Sequence, residues 1–161
     1  MTDTVDQKTR SRIMSAVKGK DTQFEMAIRK GLFAKGFRYR LHVKSLPGKP
    51  DIVLPRYKAV VLVSGCFWHG HHCCLSALPV THREFWETKI RTNRANDNKV
   101  RRLLRTGGWR VLTIWQCAVK GPGRFPIGEV LDQAEDWIVG GLDEAEIRGR
   151  SVRLRKRSKV S

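Results

Sequence analysis

Pro50-Asp51-Ile52-Val53-Leu54, a short Pro55-Arg56-Tyr57-Lys58 link and Ala59-Val60-Val61-Leu62-Val63 read as two neighbouring strands joined by a turn. Both runs are apolar and rich in β-branched residues, the pattern of strands buried on both faces. The first opens on a carboxylate. The second runs directly into Ser64-Gly65-Cys66-Phe67-Trp68-His69-Gly70-His71-His72-Cys73-Cys74. A carboxylate, a knot of imidazoles and thiols, and two aromatics so close together point to chemistry on a large anionic substrate.

Upstream, Asp21-Thr22 offers an N-cap to a helix with Phe24, Ile28 and Leu32 at i, i+4 and i+8, closed by Gly36. Glu25 falls in its first turn, where the helix dipole favours it and Arg29 lies four residues on. Before that, Thr9 to Val17 is a short candidate helix with Ile13, Met14 and Val17 on one side. Phe37 to Val43 alternates loosely as a strand, and Ser45 to Pro50 is a turn, since two prolines and a glycine forbid regular structure. Downstream, Thr81 is placed to cap a helix over 83–105 whose apolar face is Phe85, Trp86, Ile90, Val100, Leu103 and Leu104. Asn93 and 96–98 interrupt that face. Trp109 to Trp115 is a strand leading to Cys117, and Glu129 to Val139 is an amphipathic helix presenting Val130, Leu131, Ala134, Trp137 and Ile138. Helix, strands, helix, strand, helix is an α/β pattern with a mixed central sheet flanked by helices.

The 161-residue chain holds 32 Lys and Arg against 15 Asp and Glu, a net charge of +17. A field of that sign attracts polyanions and makes their binding salt-dependent. Arg148 to Ser161 carries seven basic residues and no acid, yet the rest of the chain is still strongly positive. Nucleic acid fits better than an anionic membrane, which would call for an amphipathic apolar stripe. No apolar run approaches membrane-spanning length and Met1 to Lys20 has no secretory pattern, which places the chain in the cytoplasm, on the nucleoid. Cysteines there are more often ligands or buried thiols than disulfides.

Zinc takes four Cys or His ligands in a tetrahedron, and a closed set is structural. Spacing alone does not choose among three histidines and two adjacent cysteines, although Cys66, His71, Cys73 and Cys117 make a sterically sensible set. A rigid zinc loop holds Phe67 and Trp68 outward as a wedge for a base stack, with Trp86 able to join them. Asp51 offers oxygen to a hard cation such as Mg2+, Glu25 is a direct or water-mediated second, and His69 is the base or acid. The combination is that of a metal-dependent nuclease. The alternative of another class is a zinc-stabilised DNA-binding module without catalysis.

Arg10-Ser11, Met14, Asp21-Thr22, Glu25, Leu46 to Asp51, Gly65-Cys66-Phe67-Trp68-His69, His71-His72-Cys73, Phe85-Trp86 and Trp115-Gln116-Cys117 resemble the very short patch repair endonucleases, within the PD-(D/E)XK nuclease superfamily. The likeness spans about residues 6–140. It implies an enzyme that nicks 5′ of the thymine in a T:G mispair left by deamination of 5-methylcytosine. It also implies Mg2+ on Asp51 and on the backbone carbonyl of Val63, His69 acting on the attacking water, and Glu25 supporting the water shell. Zn2+ is implied on Cys66, His71, Cys73 and Cys117. Phe67, Trp68 and Trp86 are implied as intercalators, with Met14 gripping the other groove. The wider superfamily's acidic-x-Lys half-motif is absent, and Val63-Ser64 stands where the family carries Thr-His. Valine keeps the backbone carbonyl, but the histidine's water-positioning group is lost. The division implied is an N-terminal DNA-contacting arm at 1–20, a nuclease domain at 21–140 and a basic, mobile tail at 141–161. One nick per mispair suits a monomer, with mismatch-repair proteins as implied partners. A same-fold restriction or repair endonuclease without mismatch preference is the second reading within nucleases.

Overall fold

The computed structural model describes residues 23–73 and 75–150. The candidate arm, Met14 and Cys74 lie outside the described residues. Eight elements are described: α1 (23–34), β1 (Arg40–Leu41), β2 (Ile52–Leu54), β3 (Ala59–Ser64), α2 (Arg83–Thr106), β4 (Arg110–Trp115), α3 (Ile127–Val139) and β5 (Glu144–Ile147). They build a five-stranded mixed sheet in the order β1-β2-β3-β4-β5. β2 runs antiparallel to its neighbours β1 and β3; β3, β4 and β5 run parallel. The two parallel steps are bridged by α2 and α3, as parallel neighbours require a crossover.

Because strand side chains alternate, the sheet divides its residues between two layers. Ile52, Leu54, Ala59, Val61, Leu112 and Ile114 pack with Phe24, Ile28 and Leu32 of α1 and Val130, Ala134 and Ile138 of α3. Val53, Val60 and Val111 face Leu104 of α2. Phe24, Ile28 and Leu32 are each 6% exposed or less. At about 1.5–3 kcal/mol per buried large apolar side chain, those three anchor α1 against the sheet. The helix stripe therefore fixes where Glu25 points.

Several boundaries differ from the sequence reading. The strand expected over Phe37 to Val43 shrinks to Arg40–Leu41, because His42 adopts left-handed backbone (φ 46°) and turns the chain. α2 starts from His82, itself left-handed, with no side-chain cap bond, rather than from a Thr81 cap. Residues 141–150 are not all tail: Glu144–Ile147 adds a parallel strand, Val111 to Ile114 pairing with Glu144 to Ile147. Its short acidic alternation, with only Ile147 buried, hides it from a search for apolar runs.

Candidate active site and metal cluster

The functional side chains collect where β3 and β4 end together, Ser64 pairing with Trp115. Loops leaving the carboxyl ends of parallel strands are the usual place for a site in an α/β sheet. The loop after β3 carries Cys66 to Cys73, and the single turn after β4, Gln116–Ala118, carries Cys117.

Cys66, His71, Cys73 and Cys117 each present a ligand atom within 4.8 Å of the others. Tetrahedral zinc at about 2.3 Å from sulfur sets thiolates about 3.7 Å apart, so the set fits. The sulfurs are also prepared for charge. The Cys117 N–H donates to Cys66 Sγ at 3.2 Å, the Gly149 N–H donates to Cys117 Sγ at 3.3 Å, and His71 Nδ1 lies 3.6 Å from Cys117 Sγ. The hydrogen bond from Cys66 pulls Cys117 down to about 5, while the same bond, with burial, pushes Cys66 far up. Burial pushes Cys73 up as well. Three thiols here cannot all ionise without a cation between them, which is the chemistry of a metal-thiolate site. Gly149 lies so close that a Cβ there would meet the Cys117 carbonyl oxygen at 2.2 Å, so the chain after β5 closes over the cluster.

On the other side of the strand ends, the Val63 N–H donates to Asp51 Oδ2 at 2.8 Å. Val63 is thus brought to Asp51 through its amide. Burial first, then the neighbouring Glu25 carboxyl, pushes Asp51 up to about 7; the Val63 N–H and the charge of His69 act in the opposite sense. Glu25 therefore does two things: it pairs with Arg29, as its place in the first turn suggested, and it crowds Asp51. His42 stands between the two carboxylates, and Glu25, His42 and Asp51 form a second set able to hold a cation.

His69 Nδ1 is bonded to Asp97 Oδ2 of α2. An ionised carboxylate only accepts, so Nδ1 carries a proton toward Asp97. Two helical turns hold this loop down: Asn93 Nδ2 donates to the Trp68 carbonyl at 2.9 Å, one turn before Asp97. Gly70 (φ 60°) lets the loop touch α2; a Cβ there would lie 2.5 Å from Ile90 Cγ2. Neither Asp97 nor Asn93 was picked out by sequence. Their signal was the i, i+4 polar interruption of an otherwise apolar face. Trp115 lies between the two centres, stacked on His71 at 4.1 Å and edge-on to His69 at 6.3 Å.

Phe67, Trp68 and Trp86 form a triangle of edge-to-face contacts with centroids 5.2 to 5.4 Å apart. Phe67 and Trp68 are half-buried. Trp86 is 6% exposed and sits beneath them as support, not outward as a wedge. A cavity of about 250 Å³ beside His69 is lined by Arg94, Arg101 and Arg148.

The family model described as DNA mismatch endonuclease Vsr matches residues 2–75. Over 154 residues, 96% of this chain and 99% of the relative, the sequence is 38% identical to DNA mismatch endonuclease Vsr of Escherichia coli (strain K12). The chain belongs to the Vsr family. Other relatives include the type II nicking enzyme V.XorIIP of Xanthomonas oryzae pv. oryzae, 44% identical over 76% of this chain and 90% of its own. The type II nicking enzyme V.NmeAIP of Neisseria meningitidis is 42% identical over 74% and 86%. Cys117 lies beyond the residues that the family model matches, and its thiol completes the set with Cys66, His71 and Cys73. Among the described residues, no helix is long and apolar enough to cross a membrane.

Proposed function

We propose that this DNA endonuclease nicks one strand on the 5′ side of the thymine in a T:G mispair, by Mg2+-assisted hydrolysis, with Zn2+ held by Cys66, His71, Cys73 and Cys117. The observation that carries the reading is the convergence of an Asp51–Glu25 carboxylate pair and a His69–Asp97 imidazole–carboxylate pair at one end of the sheet. Paired carboxylate oxygens suit a hard divalent cation. An imidazole held through its Nδ1 proton by Asp97 leaves Nε2 to act as a general base.

In this reading Asp51 and Glu25 hold the cation, with the Val63 carbonyl as a further ligand. Bound there, a divalent ion supplies Lewis-acid stabilisation of charge building on the phosphoryl oxygens. His69 Nε2 takes the proton from the water as its oxygen attacks phosphorus, and Asp97 stabilises the imidazolium that results. The bond from phosphorus to the departing sugar oxygen breaks, and that oxygen takes a proton from solvent water. Phe67 and Trp68 serve as the wedge that opens the stack beside the mispair, propped by Trp86, while Met14 meets the opposite groove. Arg94, Arg101 and Arg148 meet phosphates. The strand-opening Asp51 and the parallel β3–β4 pair support a PD-(D/E)XK assignment. The enzyme acts as a monomer on cytoplasmic DNA.

The test offers T:G duplexes in varied flanking contexts with Mg2+, beside matched duplexes, and maps the break at nucleotide resolution. One break 5′ of the mispaired thymine is expected, abolished in Asp51→Asn while duplex binding persists. Equal cutting of matched duplex removes the mismatch specificity. Undiminished nicking by Asp51→Asn removes the assignment of the cation site.

A further inference from the structure

His42 has no part in the scheme above, yet it stands at the cation pocket. The left-handed turn after β1 places its imidazole with Nε2 3.6 Å from Glu25 Oε1 and Nδ1 4.0 Å from Asp51 Oδ1. Ligands sharing one divalent ion at about 2.1 Å are about 3 Å apart when adjacent and about 4.2 Å when opposite. The three residues are spaced as a ligand set, two oxygens and one nitrogen, each within 4.8 Å of the others.

Arg29 is the second observation. Its guanidinium reaches Glu25 Oε2 and lies 2.7 Å from His42 Nε2. Arginine is permanently protonated and only donates, so His42 Nε2 presents its lone pair. Its Nε is buried without a partner among the described residues, although each nitrogen of a guanidinium in a settled ion pair is normally bonded. The same two side chains thus already draw a positive charge, through a group that is incompletely satisfied where it sits.

We propose that His42 is a nitrogen ligand of the divalent cation held by Asp51 and Glu25, and that Arg29 occupies Glu25 and His42 until that cation displaces it. This rests on the cation site of the proposed function and specifies its ligand chemistry. An imidazole nitrogen added to two carboxylates shifts preference from Mg2+, which favours oxygen and water, toward Mn2+, which accepts imidazole more readily. Displacing a guanidinium also makes affinity depend on how easily Arg29 leaves.

The experiment needs no DNA and no turnover. Full-length protein carrying one equivalent of zinc, held by the Cys3His cluster, and no excess is titrated with Mn2+ alone and with Mg2+ in competition, followed by electron paramagnetic resonance. His42→Gln is expected to weaken Mn2+ about tenfold or more, to weaken Mg2+ by less, and to remove a directly bonded nitrogen from the Mn2+ spectrum. Arg29→Gln is expected to tighten both ions by about threefold or more, since a competing cation has gone. Unchanged Mn2+ affinity and nitrogen coupling in His42→Gln, with binding lost in Asp51→Asn, overturns the ligand role and leaves the cation site standing. Unchanged binding in Asp51→Asn overturns the site itself. Weaker binding in Arg29→Gln overturns the competition, because Arg29 would then be supporting the ligands.

Discussion

Replacing Asp51 with Asn should remove a loss of stability that the wild type suffers as pH rises. In the folded chain, burial and the Glu25 carboxyl raise Asp51 from 3.8 to about 7, with 27% of its side chain still exposed. An Asp whose folded pKa lies above its unfolded value adds stability below pH about 4 and loses that contribution as pH rises through about 7. At about 1.4 kcal/mol for each tenfold difference in proton affinity, the loss is at most about 4 kcal/mol. Asn cannot ionise and keeps an amide beside Glu25, so its stability relative to wild type should rise across that window. The assay is urea unfolding of zinc-loaded, Mg2+-free protein from about pH 4 to about pH 8, with the variant measured in parallel so that the other titrating groups cancel. Mg2+ competes with the proton for Asp51, so its stabilisation of wild type should be larger near pH 8 than near pH 5, and small in the variant. A wild type that gains stability over the variant as pH rises refutes the reasoning, because that is how a carboxylate already paired with a fixed cation behaves.

Purified protein should carry one equivalent of zinc, and Cys117→Ala should lower stability by several kcal/mol, read by metal analysis and unfolding; a metal-free, equally stable variant would sink the cluster assignment. Asp97→Asn leaves His69 free to take the wrong tautomer, and should cut kcat by about 10²–10⁴-fold with duplex affinity nearly unchanged. Gly70→Ala forces a Cβ onto Ile90 at a left-handed position, and should cost about 2–4 kcal/mol and loosen the loop, seen as faster amide exchange around His69.

Most of the layer structure was legible because burial obeys period. Phe24, Ile28 and Leu32, and then Val130, Leu131, Ala134, Trp137 and Ile138, are all buried as their spacing indicated. The four cluster ligands come together for a simpler reason: density of thiols and imidazoles is itself a signal. What escaped were features whose cause is tertiary. β5 carries Glu144 and Glu146 and only one buried side chain, so nothing local distinguishes it from tail until β4 offers an edge. His42 looked like part of a strand, and its place beside Glu25 and Asp51 depends on a backbone turn no pattern announces.

The polar break in α2 is the instructive case. A run of Asn and Asp in a helix with an apolar face reads as weakness, since those residues prefer caps and turns. Here Asn93 and Asp97 stand one turn apart and bond the Trp68 carbonyl and the His69 ring. The helix gives up apolar burial over that stretch and gains control of a loop, and the loop carries Phe67, Trp68 and His69. Because Cys66 and Cys117 fasten the same loop to the ends of β3 and β4, His69 is oriented from two sides, by α2 through Asp97 and by the metal-capable cluster through Trp115. Losing the cluster should therefore disturb His69 without touching Asp51, and losing Asp97 should disturb His69 without touching the cluster. The carboxylate–imidazole pocket and the Cys3His cluster are mechanically linked but chemically separate.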